Sequence, residues 1–236
     1  MSAPPRWPAI WNAFRIAAAA LIAAAIIAQA SRTIGGAMSE GRDVATTAVN
    51  FFSFFTVLSN VSSVVVLAVA GVRGLLKPRQ PQPYALSIAL ACVSTYMVVT
   101  GLVYNLLLRG VPLPQGTTVP WSNEVLHVVG PVVLLVDLFV NVAARLPWKA
   151  IAAVLVFPIA WILYTLVRGP LVTNPVTQNP WWYPYPFLDP HLVGGYGGVA
   201  VYVVGIAVAL GAVAALVVGV GRRRAVVPAA VEPATA

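Results

Sequence analysis

Six long apolar runs, separated by short polar breaks, constrain this chain more than any other feature. Each run holds about 20 residues, the length that an α-helix needs to cross the hydrocarbon core of a bilayer. Of the 236 residues, 60% are hydrophobic and only 8% are charged, whereas a soluble domain carries about 25% charged residues. Polar side chains therefore cannot cover a globule of this size, and lipid must solvate most of its surface.

The runs predict an all-α integral membrane protein, in which residues 1–221 form a single domain of six transmembrane helices. The expected spans are 8–30, 48–70, 84–108, 123–143, 147–167 and 196–219. Proline and basic residues punctuate the breaks between them. The last segment, 222–236, starts with three arginines and continues with Ala, Val and Pro. We interpret it as a disordered tail.

The distribution of basic residues predicts that both termini are cytoplasmic. With that orientation ten Lys and Arg residues lie on the inner side and four on the outer side, as the positive-inside rule expects. The inner set is Arg6, Arg15, Arg73, Lys77, Arg79, Arg145, Lys149, Arg222, Arg223 and Arg224, and the outer set is Arg32, Arg42, Arg109 and Arg168. The net charge of +8 is spread over these clusters. It therefore indicates topology and not a nucleic-acid partner.

The first run leaves two alternatives open. Arg15, the apolar residues 16–27 and the sequence Ala-Gln-Ala-Ser at 28–31 resemble a signal peptide with a cleavage site. Cleavage would leave five spans. Trp7 and Trp11 instead favour a longer retained helix whose aromatic residues lie at the inner interface.

Several kinds of site find no support in the sequence. The two histidines and six acidic residues form no cluster with metal-ligand spacing, so no metal is expected. No glycine loop could cradle a phosphate, and no G-x-S-x-G nucleophile elbow is present. No cofactor is therefore expected. Cys92 is the single cysteine, which excludes a disulfide within the chain.

The second span carries a stripe of polar residues. Ser53, Thr56, Asn60 and Ser63 recur at steps of three and four residues, so a continuous helix would place them on one face. In a membrane helix such a face turns toward other helices or a wet cavity. Hydrogen bonding between helices explains the stripe on its own, and a reactive hydroxyl at Thr56 is the alternative. Asn60, one turn below, is a candidate oxyanion donor.

His127 places an ionisable ring in the fourth apolar run, which in membrane proteins often marks a functional site. Thr56 and His127 lie 8 and 4 residues beyond the expected starts of their spans, or about 12 and 6 Å deep from the same side at 1.5 Å per residue. If the two residues are also lateral neighbours, the imidazole can accept the hydroxyl proton and activate Thr56 for acyl transfer. A structural histidine bonded to a neighbouring helix is the alternative.

Three acidic residues are candidates for polar contacts near this site. Glu124, one turn outward from His127, and Asp189, in the long outer loop, are candidates to orient the ring. Asp137 lies 10 residues deeper than His127, about 15 Å along the helix, which is too far for direct contact. We expect Asp137 to pair with Arg15 instead.

The longest connection, 168–195, combines prolines with many aromatic residues. The prolines prevent a regular helix, and the aromatic rings suit the headgroup layer. One interpretation is an interfacial anchor, and the other is a lid over a lipid-filled cavity. The candidates for substrate access are Trp181, Trp182, Tyr183 and Tyr185. His191 is expected to be an incidental exposed residue.

Three segments in this order resemble bacterial relatives of the androgen-induced gene 1 and androgen-dependent TFPI-regulating protein family. They are Phe-Phe-Thr-Val-Leu-Ser-Asn at 54–60, Leu-His-Val-Val-Gly-Pro at 126–131 with Asp137, and Trp-Tyr-Pro-Tyr-Pro-Phe-Leu-Asp at 182–189. The animal members are six-span membrane hydrolases that cleave fatty acid esters of hydroxy fatty acids with an intramembrane threonine and histidine.

Thr56 and His127 match those two positions. The resemblance therefore implies that Thr56 is the nucleophile and His127 the base, with Ser59 and Asn60 as candidate supporting residues. Ser59, Asn60 and the aromatic loop follow the bacterial pattern and not the animal one. A shared substrate does not follow from shared catalytic residues.

The sequence and the resemblance together predict an intramembrane lipid esterase in the cytoplasmic membrane of a bacterium, with a membrane lipid as substrate or ligand. The alternative is a non-catalytic small transporter or lipid-binding protein. In that case the Arg15–Asp137 pair and the polar stripe would line a pathway. Six spans without a visible inverted repeat argue weakly against a transporter.

Overall fold

The fold is a bundle of apolar helices. A computed structural model describes residues 7–78, 80–111, 118–140 and 146–224, and within them every regular element is helical. Six of the helical segments are long and apolar enough to cross a membrane. The prediction of an all-α membrane protein with six spans is thereby confirmed. The cytoplasmic location of the termini stays a prediction, and most of the expected tail, from residue 225, lies outside the described residues.

The described residues contain eight α-helices. They are α1 (Trp7–Ser39), α2 (Val44–Ser53), α3 (Phe55–Leu76), α4 (Tyr84–Val103), α5 (Pro120–Glu124), α6 (Gly130–Val140), α7 (Ala150–Arg168) and α8 (Tyr196–Arg224). A π-helical turn, Tyr104–Leu108, extends α4, and a second one, Val125–Val129, joins α5 to α6. Short 3-10 turns follow α7 at Gly169–Leu171 and interrupt the long loop at Pro186–Leu188.

The second span differs from its prediction. The expected continuous helix 48–70 is divided at Phe54, whose backbone is extended with φ −69° and ψ 130°. The Phe54 ring packs edge-on against Trp182 and Tyr185, with ring centroids 5.7 and 5.5 Å apart. These partners lie more than a hundred residues away in sequence, so periodicity could not reveal the break.

The break also divides the polar stripe. Ser53 ends α2, and its hydroxyl donates to Val49 O at 2.7 Å and contacts the Tyr164 hydroxyl at 2.8 Å. Thr56 and Asn60 lie on α3 and are buried there. The prediction that Ser53 shares one helical face with the others is therefore wrong, because the extended residue at 54 changes the direction of the chain.

Two glycines allow neighbouring helices to approach closely. A Cβ at Gly71 would lie 2.7 Å from Asn12 O, so the absence of a side chain brings α3 against α1. A Cβ at Gly101 would lie 2.9 Å from Pro131 Cβ, where α4 meets α6. Small residues serve this purpose widely in membrane helices, where close packing replaces the hydrophobic effect as the driving force.

A buried ion pair links α1 to α6. Arg15 Nε lies 2.6 Å from Asp137 Oδ1, and Arg15 Nη2 donates to Asp137 Oδ2 at 3.0 Å. Trp11 Nε1 also donates to Asp137 Oδ1, and Arg15 Nη1 donates to Asn12 Oδ1. The expected partners are thus in bidentate contact, and each charge offsets the burial of the other.

Candidate active site

Two adjacent cavities lie where α3 begins. The larger has a volume of about 120 Å³ and is lined mainly by apolar side chains of α4, α7, α8 and the 172–195 loop. The smaller has a volume of about 70 Å³ and reaches polar groups on α1 and α5. Four residues line both cavities: Thr56, Tyr104, Leu108 and Tyr185. The Thr56 side chain therefore lies between an apolar chamber and a partly polar one.

Thr56 is the second residue of α3. The first N–H groups of a helix have no intrahelical acceptor, and Phe54 provides no side-chain cap. The Thr56 N–H donates to the Tyr185 hydroxyl at 3.2 Å, and Thr56 Oγ1 lies 3.1 Å from the same oxygen. The helix break thus places a buried hydroxyl at the positive end of a helix dipole.

The ring of His127 is held in one orientation. Its Nδ1 lies 2.9 Å from the Asn123 carbonyl oxygen, and the ring stacks on Tyr104 with centroids 3.9 Å apart. A carbonyl oxygen can only accept, so Nδ1 carries the proton of the neutral ring and Nε2 keeps its lone pair. His127 lines the smaller cavity together with Thr56. No hydrogen bond joins the Thr56 hydroxyl to either ring nitrogen in the described residues.

The π-helical turn around His127 has a cause in the sequence. Pro131 has no amide hydrogen and cannot donate to the His127 carbonyl four residues earlier. The Gly130 N–H donates to Val125 O, five residues back, and so does not serve Leu126 O. The carbonyls of Leu126 and His127 therefore lack the donor that a regular α-helix would supply. Such π-turns are frequent at functional sites.

Two asparagine side chains serve these carbonyls. Asn105 Nδ2 donates to His127 O at 3.3 Å, and Asn60 Nδ2 donates to Leu126 O at 3.2 Å. Asn60 Nδ2 also donates to Thr56 O at 2.9 Å. Both hydrogens of the Asn60 amide are thus engaged with main-chain oxygens, which leaves none for an oxyanion. Asn60 instead couples the backbone at Thr56 to the backbone beside His127.

Glu124 and Asp189 do not orient the histidine. Glu124 forms an exposed bidentate pair with Arg109, at 2.9 and 3.1 Å. Asp189 Oδ1 lies 2.9 Å from Nδ1 of His191. The expectation that either carboxylate holds the His127 ring is therefore wrong, because each is engaged with another side chain, Arg109 or His191. The backbone carbonyl of Asn123 orients the His127 ring instead.

Four further residues with an expected role do not line the two cavities. Ser59 is buried on α3, and its hydroxyl has no hydrogen-bond partner in the described residues. Trp181 stacks on His191 with ring centroids 3.7 Å apart, and His191 is exposed in the loop, as expected. Tyr183 is buried, and its hydroxyl lies 3.4 Å from that of a tyrosine at the start of α8. Trp182 belongs to a separate cluster at the end of α7.

The aromatic part of the 172–195 loop, residues 182–188, packs against the helices, whereas residues 176–180 are exposed. Trp182, Tyr183 and Tyr185 are all buried, so the interfacial-anchor interpretation is wrong for these three side chains. Tyr185 and Phe187 line the larger cavity. Burial raises the pKa of the Tyr185 phenol above its usual value, so the phenol stays a neutral hydroxyl. The loop therefore forms a wall of the candidate site.

Three residues of this site were not predicted from the sequence, and a fourth was predicted in a different role. The three are Tyr104, Asn105 and Asn123, which lie within predicted spans. Polar side chains are uncommon in such spans, and their presence there is the one sequence feature that indicates these residues. The fourth is Tyr185, expected to aid substrate access but found in contact with Thr56. Nothing in the local sequence reveals that contact, because it joins a loop to a distant helix.

No protein-family model, curated protein or solved structure matches this chain. Its class is therefore defined by its own fold. The chain is a multi-pass membrane protein of apolar helices, and within the described residues a buried polar cluster lies beside two cavities at the start of α3.

Proposed function

We propose that this protein is an intramembrane esterase that hydrolyses fatty-acyl esters, with Thr56 as nucleophile and His127 as general base. One observation carries the proposal: Thr56, at the start of a helix, lines the same cavity as His127. The residues that resemble the membrane threonine hydrolases lend it further support. Fatty acid esters of hydroxy fatty acids are one candidate substrate class on that resemblance.

In the proposed reaction Thr56 Oγ1 attacks the ester carbonyl carbon while its proton passes to His127 Nε2. The leaving alcohol takes that proton from the imidazolium as the C–O bond breaks. A water, deprotonated by the same nitrogen, then attacks the acyl-threonine, releases the fatty acid and restores the hydroxyl. A threonine hydroxyl alone is a weak nucleophile at neutral pH, so the step requires the base.

The space between the two residues is compatible with this chemistry. The smaller cavity measures about 70 Å³, whereas one water needs about 10–15 Å³ of such volume. A water can therefore relay the proton, or the substrate can draw the groups together, since catalytic hydrogen bonds are often long before substrate binds. The Tyr185 phenol, which contacts Thr56 Oγ1, is the proposed donor to the oxyanion.

The larger cavity supplies a place for an acyl chain. Most of its lining is apolar and comes from α4, α7 and α8, and it borders Thr56. Burial of a hydrocarbon chain there is favourable at about 0.8 kcal/mol per CH₂ when the chain leaves water, and less when it leaves the bilayer. The chain would hold the ester carbonyl beside the hydroxyl.

The alternative function is a lipid-binding protein without catalysis. The absence of a hydrogen bond between Thr56 and His127 in the described residues favours it, as does the apolar lining of the larger cavity. As a lipid-binding protein, the chain would hold a lipid in the larger cavity, and Thr56 and His127 would only form contacts between helices. Covalent labelling separates the two proposals, because a lipid-binding protein has no need of an activated hydroxyl.

The test is labelling of the purified protein in neutral detergent with a fluorophosphonate probe. Wild type should be labelled, and Thr56→Ala should not. Thr33→Ala is the matched control, because Thr33 is a buried threonine that lines the same smaller cavity. Equal labelling of wild type and Thr56→Ala would exclude Thr56 as the nucleophile, and peptide mapping would then locate the modified residue.

A further inference from the structure

The two cavities that meet at Thr56 differ in the chemistry of their walls. Apart from the four shared residues, the described residues that line the larger cavity include one hydroxyl or amide side chain, Thr100. Apart from the same four, the smaller cavity is lined by five polar residues: Gln29, Thr33, Thr118, Asn123 and His127. A group bound at Thr56 therefore has an apolar chamber on one side and a partly polar chamber on the other.

The larger cavity reaches the apolar outer surface of the bundle between α7 and α8. Ile159 on α7 lines this cavity although its side chain is 55% exposed. Ala207 on α8 also lines the cavity and is exposed. Both residues lie within spans that lipid surrounds. An acyl chain can therefore pass from the bilayer into the larger cavity without contact with water.

The smaller cavity reaches the polar end of the bundle. Thr118, just before α5, lines this cavity and is exposed. Asn123 is another residue of its wall, and the next residue, Glu124, forms an exposed ion pair with Arg109. Charged groups of this kind are stable where water solvates them. The smaller cavity therefore suits a group that water also solvates, and a hydrocarbon chain that extends from it would be exposed to water.

The volume of the smaller cavity limits the size of its occupant. Its volume of about 70 Å³ corresponds to about five to seven waters, at about 10–15 Å³ for each. A glycerol moiety, with about six non-hydrogen atoms, has that size, whereas a long-chain hydroxy fatty acid has about three times as many. The smaller cavity therefore holds a small alcohol and not a second long chain.

Two side chains near α5 are available to a polar alcohol in the smaller cavity. Asn123 Nδ2 donates to the Tyr104 hydroxyl, and no described residue donates to Asn123 Oδ1, which can accept from an alcohol hydroxyl. The hydroxyl of Thr118 can donate and accept. On the α1 side, Gln29 Nε2 donates to Thr33 Oγ1 at 3.3 Å, so these two side chains are already bonded to each other. The contacts with the alcohol therefore belong to Asn123 and Thr118.

We propose that the substrate is an ester of a fatty acid with a small polar alcohol of the size of glycerol. The acyl chain occupies the larger cavity and the alcohol the smaller one, with the ester carbonyl beside Thr56. This substrate class rests on the proposed esterase function for the reaction itself. Fatty acid esters of hydroxy fatty acids fit the two cavities less well, because their second chain would lie among polar groups and leave them without partners.

The first experiment measures binding apart from catalysis, with ethers that the protein cannot hydrolyse. The thermal unfolding midpoint of the full chain is followed against ligand concentration in digitonin, a detergent without an alkyl chain. The two neutral probes are 1-O-dodecylglycerol and methyl 12-dodecyloxystearate, which share one chain and differ in the alcohol. A ligand that binds only the folded state raises the midpoint. We expect the glyceryl ether to raise it more, and an equal response to both ethers, or to neither, would overturn the proposal.

The second experiment compares laurate release from 1-lauroylglycerol and from methyl 12-lauroyloxystearate. We expect kcat/KM to be about tenfold higher, or more, for the glyceryl ester, which is the discrimination that one or two hydrogen bonds supply. Hydrolysis that depends on Thr56 but shows no such preference would overturn the substrate class and leave the esterase function standing. Selective binding of the glyceryl ether without hydrolysis of either ester would remove the esterase function and leave the assignment of the two cavities standing.

Variants of the smaller cavity test the contacts with the alcohol through the ratio of kcat/KM for the two esters. Asn123→Leu should lower this ratio about threefold or more, the effect of one hydrogen bond, while the backbone carbonyl that holds His127 is kept. Thr118→Val should also lower the ratio, and it carries the test if Asn123→Leu does not fold, because Thr118 is exposed.

Thr165→Val is the matched control and should keep the wild-type ratio, because Thr165 is a buried threonine that lines neither cavity. A purely structural effect of a substitution would lower hydrolysis of both esters equally and leave the ratio unchanged. A wild-type ratio in both Asn123→Leu and Thr118→Val would therefore overturn the placement of the alcohol in the smaller cavity.

Discussion

The hydroxyl oxygen of Tyr185 lies 3.1 Å from Thr56 Oγ1, although 129 residues separate them in the chain. The same phenol accepts the Thr56 N–H at 3.2 Å. Tyr185 thus contacts both the side chain and the backbone of the proposed nucleophile. The long aromatic loop therefore belongs to the candidate site, where it limits the positions open to the Thr56 hydroxyl.

Tyr185→Phe should lower ester hydrolysis about tenfold while leaving the fold intact. The ring contacts with Phe54 and Phe187 are retained, and the lost hydrogen bonds are worth about 0.5–1.5 kcal/mol each. The measurement is kcat/KM for a p-nitrophenyl laurate substrate in micelles. Tyr183→Phe is the control, because Tyr183 is also buried but lines neither cavity. Equal rates for wild type and Tyr185→Phe would remove Tyr185 from the mechanism.

Thr56→Ser should retain ester hydrolysis, whereas Thr56→Ala should lose it. Serine keeps the oxygen that the proposal requires, and it loses only a methyl group whose burial is worth about 1 kcal/mol. An acyl adduct on the peptide that contains residue 56, detected by mass spectrometry after a rapid acid quench, is the direct measurement. Thr33→Ala should behave as wild type does. Activity in Thr56→Ala equal to wild type contradicts the assignment.

His127→Ala should reduce turnover by about two to four orders of magnitude, the usual contribution of a general base. The fold should persist, because the ring makes one hydrogen bond to its own helix and one stacking contact, with Tyr104. Helical content by circular dichroism and elution as a single species provide the folding control. Full activity in a folded His127→Ala protein would eliminate the base role and favour lipid binding without catalysis.

Asp137→Asn should destabilise the protein by about 3–5 kcal/mol, because it leaves the buried guanidinium of Arg15 without its counter-charge. Both side chains are buried and joined by two hydrogen bonds. The double variant Arg15→Met/Asp137→Leu should be less destabilised than Asp137→Asn, since no unpaired charge remains. Unfolding of each variant in mixed micelles provides the comparison. An Asp137→Asn protein as stable as wild type would show that the ion pair is not needed for the stability of the fold.

Gly71→Ala should destabilise the bundle by about 1–3 kcal/mol, the usual cost of overpacking. The added Cβ would lie 2.7 Å from the backbone oxygen of Asn12, which cannot rotate away as a flexible side chain could. Gly205→Ala is the matched control, because nothing lies within 4 Å of the corresponding Cβ. Thermal unfolding should therefore separate the two variants. Equal midpoints would mean that α1 and α3 can move apart at little cost.

Two predicted spans are interrupted where the sequence predicted a regular helix. Proline at 131 and glycine at 130 lay within an expected regular helix, but the lost amide hydrogen produces a π-turn that two asparagines complete. Phe54 lay in the first third of an expected span, but its ring packs on the loop and the helix breaks there. Both outcomes depend on partners from elsewhere in the chain. Local propensity alone could not predict them.

The amino-acid sequence by itself determined the class of this protein and the number of its spans. Exposure of an apolar run of about 20 residues to water is unfavourable, so such a run partitions into the bilayer. Because lipid offers no hydrogen-bond partners, the backbone of the run must form a helix there, and hydropathy therefore predicts the span directly. The sequence also identified Thr56 and His127 as candidate site residues, because they are polar residues in apolar runs. Only the tertiary structure decided that both line one cavity and that Tyr185 is the hydroxyl partner of Thr56. Contacts between distant segments depend on how the helices pack, and short-range periodicity carries no information about that packing.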